Sequence, residues 1–284
     1  MKIRQALVLG GTSGIGHGIA LSLAELGHNV IIAGRSSKRG AEIVSELKSC
    51  SSNDSQEHSF HTVDGFNLKS VKELADTVTQ NNTKSVDLLV MTQGMATIQG
   101  YTPTVDNLDQ KLQLHYFSRM YLAKLLAPTI SEGGRILSVL SAGVHGKYKG
   151  FESDFELKET YSITNAADAA GMYNDVGFEG IAKEYPHLIV CHASPGFVNT
   201  RWGTEFPWYL KAMIRPMQKL GRSHTKCGTI LANAWLGLPQ INTFTGNNYH
   251  LMNQDGKPIH KSMKHTKEEG EFIFQKTLSL LPSS

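Results

Sequence analysis

The stretch Gly10-Gly11-Thr12-Ser13-Gly14-Ile15-Gly16 decides the fold because of what stands on either side of it. A short apolar run at residues 6–9 precedes it, and a helical pattern from about residue 14 to residue 26 follows it. Glycines at such a strand-to-helix turn keep it tight and let a phosphate approach the backbone closely. The N-terminus of the following helix adds free N–H groups and a partial positive charge. The stretch therefore predicts a turn that binds the pyrophosphate of a dinucleotide.

The rest of the chain repeats this alternation of apolar runs and helical patterns. Predicted strands lie near residues 30–33, 61–63, 88–91, 136–140, 188–193 and 249–252, and predicted helices near 38–47, 70–79, 108–126, 166–184, 226–236 and 268–281. Fully apolar strands separated by helices indicate a parallel sheet covered on both faces. Because we find no repeat and no linker, we predict one Rossmann-type, doubly wound α/β domain over residues 1–284, with about seven mostly parallel strands.

Composition and charge exclude several classes of protein. The 284 residues include 28 Lys and Arg against 25 Asp and Glu, which is too mild a balance for a nucleic-acid groove or a polybasic membrane tether. The three cysteines, Cys50, Cys191 and Cys227, have no paired spacing, which argues against a disulfide scaffold or a zinc site. The sequence has no leader pattern and no run of about 18 apolar residues. We therefore expect a cytoplasmic protein without a membrane span, a metal site or a nucleic-acid partner.

The spacing Gly10-x-x-x-Gly14-x-Gly16 resembles that of the short-chain dehydrogenase/reductase family, and the resemblance extends over nearly the whole chain. The family's fourth strand ends in Asn-Asn-Ala-Gly, of which only Gly94 is present here. The resemblance implies that adenine is contacted at Val63-Asp64-Gly65 and nicotinamide at the turn Pro195-Gly196. The cofactor-binding residues that it implies are Gly10, Thr12, Ser13, Gly14, Ile15, Gly16, Asp64, Gly65, Gln93, Gly94, Pro195, Gly196, Val198 and Thr200.

The end of the second predicted strand, Ala33-Gly34-Arg35-Ser36-Ser37, indicates which dinucleotide is preferred. A fold specific for NAD would place an acidic residue there to bind both ribose hydroxyls. Gly34 offers no side chain, whereas the guanidinium of Arg35 suits a 2′-phosphate, and Ser36 and Lys38 could add contacts. We therefore predict NADP(H) as the cofactor.

The catalytic residues that the family normally uses are an Asn, a Ser and the Tyr and Lys of a Tyr-x-x-x-Lys motif. The tyrosine exchanges a proton with the substrate oxygen, the lysine lowers its pKa, and the serine holds the oxygen. Ser141 corresponds to the serine, and His115 fills the Asn position. No Tyr-x-x-x-Lys occurs in the chain, and counting back from Pro195 places the two missing residues near Ala167 and Gly171.

Other side chains must then supply the proton. Tyr161 is the tyrosine nearest the start of the predicted catalytic helix, although it lies six residues before the family's position. Asp168 stands beside the vacated position, and Tyr148 lies in the loop before it. His115 faces inward, either as a core histidine or as part of a proton relay. We choose Tyr161 as the proton donor and keep Asp168 and His115 as alternatives.

Residues 201–222, here named the lid segment, are rich in aromatic residues and methionines. In the family this segment covers the substrate, and such side chains suit an adaptable apolar pocket. A helix packed on the body of the protein, or an amphipathic patch that touches a membrane, would have the same composition.

A homodimer is also possible. In the family two long helices of each subunit commonly pair, and small residues permit such helices to approach closely. The helix predicted at 166–184 carries five small residues near its start: Ala166, Ala167, Ala169, Ala170 and Gly171.

Three functions remain open from the sequence. The first is an NADP(H)-dependent oxidoreductase that acts on a small lipophilic carbonyl or alcohol. The second is a redox-inactive NADP(H)-binding sensor or partner protein, and the third is an isomerase or cyclase on the same scaffold. We favour the oxidoreductase because the cofactor turn and the lid segment occur together.

Overall fold

The computed structural model describes residues 3–80, 85–200, 203, 206–243, 246–260 and 265–283. Within these residues the main sheet has seven strands, which are β1 (Gln5–Leu9), β2 (Asn29–Gly34), β3 (His58–Thr62), β4 (Val86–Met91), β5 (Arg135–Val139), β6 (Ile189–Ala193) and β9 (Tyr249–Met252). Two shorter strands, β7 (Val198–Asn199) and β8 (Arg222–Ser223), form a separate parallel pair. All neighbouring strands of the main sheet are parallel, in the order β3-β2-β1-β4-β5-β6-β9. The predicted Rossmann-type fold is therefore confirmed.

Helices cover both faces of the sheet. They are α1 (Gly14–Glu25), α2 (Ser37–Cys50), α3 (Leu68–Gln80), α4 (Gln110–Leu112), α5 (Ser118–Leu126), α6 (Ile163–Glu184), α7 (Trp208–Gln218), α8 (His224–Leu236) and α9 (Lys267–Leu280). Helices α1, α2 and α8 pack on one face, and α3, α5, α6 and α9 on the other, around two separate hydrophobic cores. The central strands are apolar throughout because both of their faces are buried.

The strand order reverses between β1 and β4, which are neighbours in the middle of the sheet. In open α/β sheets such a reversal leaves a crevice at the carboxyl ends of the strands, where ligands bind. The turns that follow β1, β4 and β6 all open at this edge. The fold therefore brings the predicted cofactor residues to one place.

Two elements differ from the sequence prediction. The helix predicted over residues 108–126 contains a π-helical segment, Gln113–Phe117, between α4 and α5. Strand β3 begins at His58, three residues before its predicted start. This strand lies at the edge of the sheet and carries the polar sequence HSFHT, so it lacks the apolar run that marks the central strands.

Helix α9 packs along α6 and contributes to the core. Ile273 and Thr277 are fully buried, and the Thr277 hydroxyl hydrogen-bonds to the Tyr116 hydroxyl at 2.6 Å.

Four of the five small residues that suggested a homodimer are buried inside the chain, and Ala167 is the exposed one. They pack against the chain itself and are not available to a second copy, so the reason for predicting the dimer does not hold. Among the described residues, no helix is long and apolar enough to cross a membrane.

Candidate cofactor and active site

The glycine turn after β1 has the geometry of a phosphate cradle. Gly10 and Gly14 have positive φ angles of 86° and 56°, which other residues rarely adopt. A Cβ at Gly16 would lie 2.4 Å from the carbonyl oxygen of Gly10, so any side chain there would close the turn. Helix α1 begins at Gly14, and its N-cap residue Ser13 makes no side-chain capping bond. The first N–H groups of α1 thus remain available to an anion, and the turn fits a pyrophosphate.

Two guanidinium groups, those of Arg35 and Arg39, follow the end of β2, whereas the sequence pointed to Arg35 alone. The Arg35 side chain is exposed and lies over the Phe66 ring, with its Cζ 5.3 Å from the ring centroid. Arg39, one helical turn further on, donates from Nε to the carbonyl oxygen of Thr12 at 3.4 Å. The Ser36 hydroxyl caps α2 by accepting the N–H of Arg39. Sequence reasoning missed Arg39, which lies in the first turn of α2, three residues after the N-cap Ser36.

The remaining cofactor residues lie along the same crevice. A Cβ at Gly14 would lie 3.2 Å from the Thr200 methyl group, so the turn after β6 meets the phosphate turn. Gly94 lies against His115, and Gly65 lies near Gln93. The Asp64 carboxylate accepts the N–H of Phe66 at 3.1 Å. These positions fit an extended dinucleotide that runs from the end of β2 to the turn at Gly196.

Gly171, at the position of the family's lysine, leaves no room for a side chain. A Cβ built there would lie 2.5 Å from His145 Cβ and 2.6 Å from the Ser141 hydroxyl oxygen. Real Cβ atoms essentially never approach other atoms so closely. The loop after β5 has therefore moved into the space that a side chain at 171 would need.

Asp175, one turn further along α6, holds this loop in place. Its carboxylate accepts hydrogen bonds from His145 Nε2 at 2.8 Å, from His192 Nδ1 at 2.5 Å and from the Gly143 N–H at 3.2 Å. All three side chains are at most 4% exposed. Although burial raises the pKa of Asp175, the hydrogen bonds from His145 and His192 outweigh it and lower the pKa to about 2. We name Asp175, His145 and His192 the Asp175 cluster.

The two histidines of the Asp175 cluster differ in what their other ring nitrogen faces. His145 Nε2 faces the Asp175 carboxylate, and its Nδ1 faces the Gly146 carbonyl oxygen at 2.6 Å. His192 Nδ1 faces the same carboxylate, whereas its Nε2 accepts the Ser141 N–H at 3.2 Å. This is the hydrogen-bond pattern of a neutral imidazole. A buried histidine–carboxylate pair therefore stands beside Ser141.

His115 belongs to a second buried network. Its Nε2 accepts the Met95 N–H at 2.9 Å, and its backbone carbonyl accepts from Asn174 Nδ2 at 2.8 Å. Burial, with the cations of Arg119 and Lys111, lowers the pKa of His115 to about 3. Arg119 is fully buried and donates to the carbonyl oxygens of Val139 and Gln93 and to the Ser138 hydroxyl. Arg119 thus joins the ends of β4 and β5, and His115 is a neutral core histidine.

Tyr161 meets Lys111 near the start of α4. The Tyr161 hydroxyl hydrogen-bonds to Lys111 Nζ and to the Gln99 carbonyl oxygen, the latter at 3.2 Å. Burial, followed by the charge of Asp109, raises the pKa of Tyr161 to about 12, and burial lowers the pKa of Lys111. A tyrosine and a lysine are thus paired in this chain, but from different elements than in the family. Sequence reasoning missed Lys111, although it lies one turn before His115 on the same helical face.

The other candidate proton donors have structural partners. Asp168 accepts the Gly146 N–H at 2.6 Å and so helps to hold the loop after β5. The Tyr148 hydroxyl is bonded to the Asp154 carbonyl oxygen and the Thr160 hydroxyl. Among the described residues the Ser141 hydroxyl forms no hydrogen bond, so it is available to a ligand.

The lid segment is only partly described, because residues 201, 202, 204 and 205 lie outside the described residues. It contains α7, and its two ends are joined where Val198 pairs with Arg222 and Asn199 with Ser223. This pairing keeps the base of the segment beside Thr200 at the crevice.

Comparison with known proteins agrees with the family resemblance found in the sequence. A family model described as short chain dehydrogenase matches residues 4–204. An oxidoreductase of Emericella nidulans is 30% identical over 207 residues, which are 71% of this chain and 61% of that protein. Human polyprenol dehydrogenase is 30% identical over 209 residues, which are 69% of this chain and 61% of that protein. The chain therefore spans only about three fifths of the length of these curated relatives.

Solved structures share the fold at lower identity. An alcohol dehydrogenase from Thermococcus sibiricus, complexed with 5-hydroxy-NADP, has a TM-score of 0.64 and 17% identity, and the match covers 93% of this chain and 100% of that one. An uncharacterised protein from Mycobacterium paratuberculosis has a TM-score of 0.70 and 19% identity, with 99% of this chain and 95% of that one covered. At these identities the likeness concerns the arrangement of strands and helices.

Proposed function

Since the chain belongs to the short-chain dehydrogenase family, we propose that it is an NADP(H)-dependent oxidoreductase acting on a small lipophilic carbonyl or alcohol. The observation that carries this proposal is the Ser141 hydroxyl, which forms no hydrogen bond among the described residues. Ser141 follows β5 at the same edge of the parallel sheet as the glycine turn that follows β1. A redox-inactive binding protein would have no need of that hydroxyl at the end of the crevice.

The preference for NADP(H) rests on the charges at the end of β2. Arg35 and Arg39 both lie beside the turn into α2, and a Cβ at Gly34 would lie 2.9 Å from the Thr12 hydroxyl. A 2′-phosphate would meet two guanidinium groups there and, at the start of α2, the favourable end of a helix dipole. No acidic side chain follows β2 to bind the ribose hydroxyls of NAD.

The bound cofactor would supply a hydride to a carbonyl carbon, or accept one from an alcohol. We propose that the Ser141 hydroxyl hydrogen-bonds to the substrate oxygen and stabilises negative charge that develops there. Tyr161, paired with Lys111, is the proposed proton donor for the reduction. Asp168 remains the alternative donor, whereas the neutral, buried His115 does not fit that role.

A lipophilic substrate is supported by the less exposed side of α7 in the lid segment, which carries the apolar residues Leu210 and Ile214. The human relative at 30% identity is named for a polyprenol, a long lipid alcohol.

We further propose that residues 1–284 form one dinucleotide-binding domain with this lid. Because α9 covers much of α6, we expect no dimer through that face, which light scattering at micromolar concentration would test.

Transfer of isotope from labelled cofactor tests the function directly. NADPH labelled separately at each of the two C4 positions is incubated with a panel of lipophilic aldehydes and ketones, and NADP⁺ with deuterated alcohols. We expect label in the product from one C4 position only, and a turnover reduced about 10²-fold or more in Ser141→Ala. Tight NADPH binding without any transfer would instead favour the redox-inactive reading. Unlabelled product formed from consumed substrate would favour an isomerase or cyclase.

A further inference from the structure

Helix α7 turns an apolar face towards solvent. Its exposed side chains form a stripe that continues just past the end of the helix: Trp208, Tyr209, Met213, Met217 and Leu220. Their exposed fractions run from 56% for Tyr209 to 86% for Leu220. The less exposed face carries Leu210, Ile214 and Gln218. A surface helix normally shows solvent its polar face, so the arrangement here is unusual.

A row of cations lies on the other side of the exposed face of α7. Lys211, Arg215 and Lys219 are spaced four residues apart, which places them on the side of the helix that Trp208 also occupies. The charged residues of α7 and the residue after it are thus all cations. The helix therefore combines exposed apolar side chains with positive charge, and it complements an anionic partner.

We propose that α7 docks the chain on the surface of a lipid bilayer that contains anionic lipids. Helices with bulky apolar and aromatic residues on one face and Lys and Arg beside them lie in the membrane interface. Trp and Tyr are enriched at the same depth, and each cation near an anionic bilayer adds to the binding. The docked helix enters the interface without spanning it. This inference does not depend on the proposed function, although a lipophilic substrate would be concentrated in the same bilayer.

Vesicle binding tests the inference without any turnover. The whole chain carries Trp202→Phe, so that Trp208 is the exposed tryptophan and Trp235 is fully buried. It is mixed with vesicles of phosphatidylcholine alone or with 30% phosphatidylserine, and sedimentation and tryptophan emission are recorded. We expect binding to the anionic vesicles, a blue shift of Trp208, weaker binding to neutral vesicles, and a loss of binding at high salt.

Two double variants separate the apolar and charged contributions. Met213→Ser with Leu220→Ser should weaken binding at least about tenfold, and Lys211→Glu with Lys219→Glu by roughly 25-fold, about fivefold for each cation. The matched controls are Val105→Ser, a 75% exposed apolar residue elsewhere, and Lys257→Glu with Lys276→Glu, which makes the same change in net charge. Both controls should bind like the parent protein. Unchanged thermal melting of each variant shows that it is folded.

Three results would overturn the inference. The first is failure of the parent protein to bind anionic vesicles. The second is equal binding by the α7 variants and their controls. The third is a Trp208 blue shift without lipid, which would identify another occupant. If that shift depends on protein concentration and disappears in Met213→Ser with Leu220→Ser, a second copy covers the stripe. If the shift requires NADPH, the helix closes over the cofactor.

Discussion

Gly171 and Ser141 are so close that a Cβ on residue 171 would lie 2.6 Å from the Ser141 hydroxyl oxygen. The loop after β5 occupies the space that a side chain at residue 171 would need. The packing of α6 against this loop therefore depends on a glycine between them.

A lysine at residue 171 should consequently destabilise the folded protein. Gly171→Lys is expected to lower the free energy of unfolding by about 1–3 kcal/mol or more, because the inserted side chain forces the loop to move. Ala167→Tyr is the matched control, since Ala167 is exposed, and it should change stability by at most about 0.5 kcal/mol. Urea unfolding measures both. Equal stability of Gly171→Lys and the parent protein would contradict the packing described for this position.

Arg35 should determine the choice of cofactor. Arg35→Ala is expected to weaken NADPH binding about tenfold to a hundredfold, the effect of losing a charge-assisted contact of about 1.5–3 kcal/mol. NADH binding should hardly change. Arg39→Ala should have a smaller effect because Arg39 also pairs with Glu42 and Glu46. Titration calorimetry of the three proteins with both cofactors provides the comparison, and equal affinity of the parent for NADH and NADPH would refute the preference.

Tyr161 should matter for turnover and not for cofactor binding. Tyr161→Phe is expected to reduce turnover about 10²-fold or more, the usual scale for general acid–base catalysis. Lys111→Met should act in the same direction, because it removes the cation beside the phenol. Tyr101→Phe is the control, since the Tyr101 ring packs edge-on against Tyr161 and its hydroxyl bonds only to the Asn107 carbonyl oxygen among the described residues. If Tyr161→Phe retains full activity, Asp168 becomes the donor to test.

The Asp175 cluster should be a main contributor to stability. Asp175→Asn removes the carboxylate that accepts hydrogen bonds from two buried histidines and is expected to cost about 1–3 kcal/mol or more. Glu179→Gln, on the same helix, breaks a pair with Lys183 and His265 that is less buried, and it should cost clearly less. Denaturant unfolding of both variants measures the difference. Similar losses in the two would show that the cluster is no more than an ordinary ion pair.

His115 should make the protein sensitive to mild acid. The pKa of His115 is lowered in the folded chain to about 3, whereas an unfolded histidine titrates near 6.5. Only the unfolded chain takes up this proton between those values, so stability is full above about pH 6.5 and falls as the pH drops towards 3. The loss is about 1.4 kcal/mol per pH unit at most. Urea midpoints between pH 8 and 5 should therefore fall less steeply for His115→Asn, and parallel curves would argue that His115 titrates normally.

The sequence was sufficient for the central strands, the glycine turn and the edge strand β9, and it was insufficient for β3 at the other edge of the sheet. Strands β1 and β4 are buried on both faces, and their sequences are apolar runs. All four residues of β9 are buried as well, although it has a neighbour on one side only. In β3 only His58 is buried, so this strand has no apolar run that could mark its start.

The candidate site also has a part that the sequence predicted and a part that it did not. The phosphate turn is a local feature whose residues adjoin in the chain, and it was predicted as a unit. The Asp175 cluster joins a loop, a helix and a strand, so no spacing in the sequence reveals it. One signal was available, because a glycine in the middle of a helix is unfavourable and often marks a close approach. Gly171 stands in the middle of α6 for that reason.

The π-helical segment at Gln113–Phe117 affects how this chain should be aligned with its relatives. A π-helical turn holds one residue more than an α-helical turn, and it usually arises from a single-residue insertion in an ordinary helix. A relative without it will match the residues before the segment with an offset of one from those after it. Lys111 and Arg119 stand on opposite sides of this offset. An ungapped alignment that is correct for Arg119 would therefore compare Lys111 with the wrong residue and hide its counterpart in other chains.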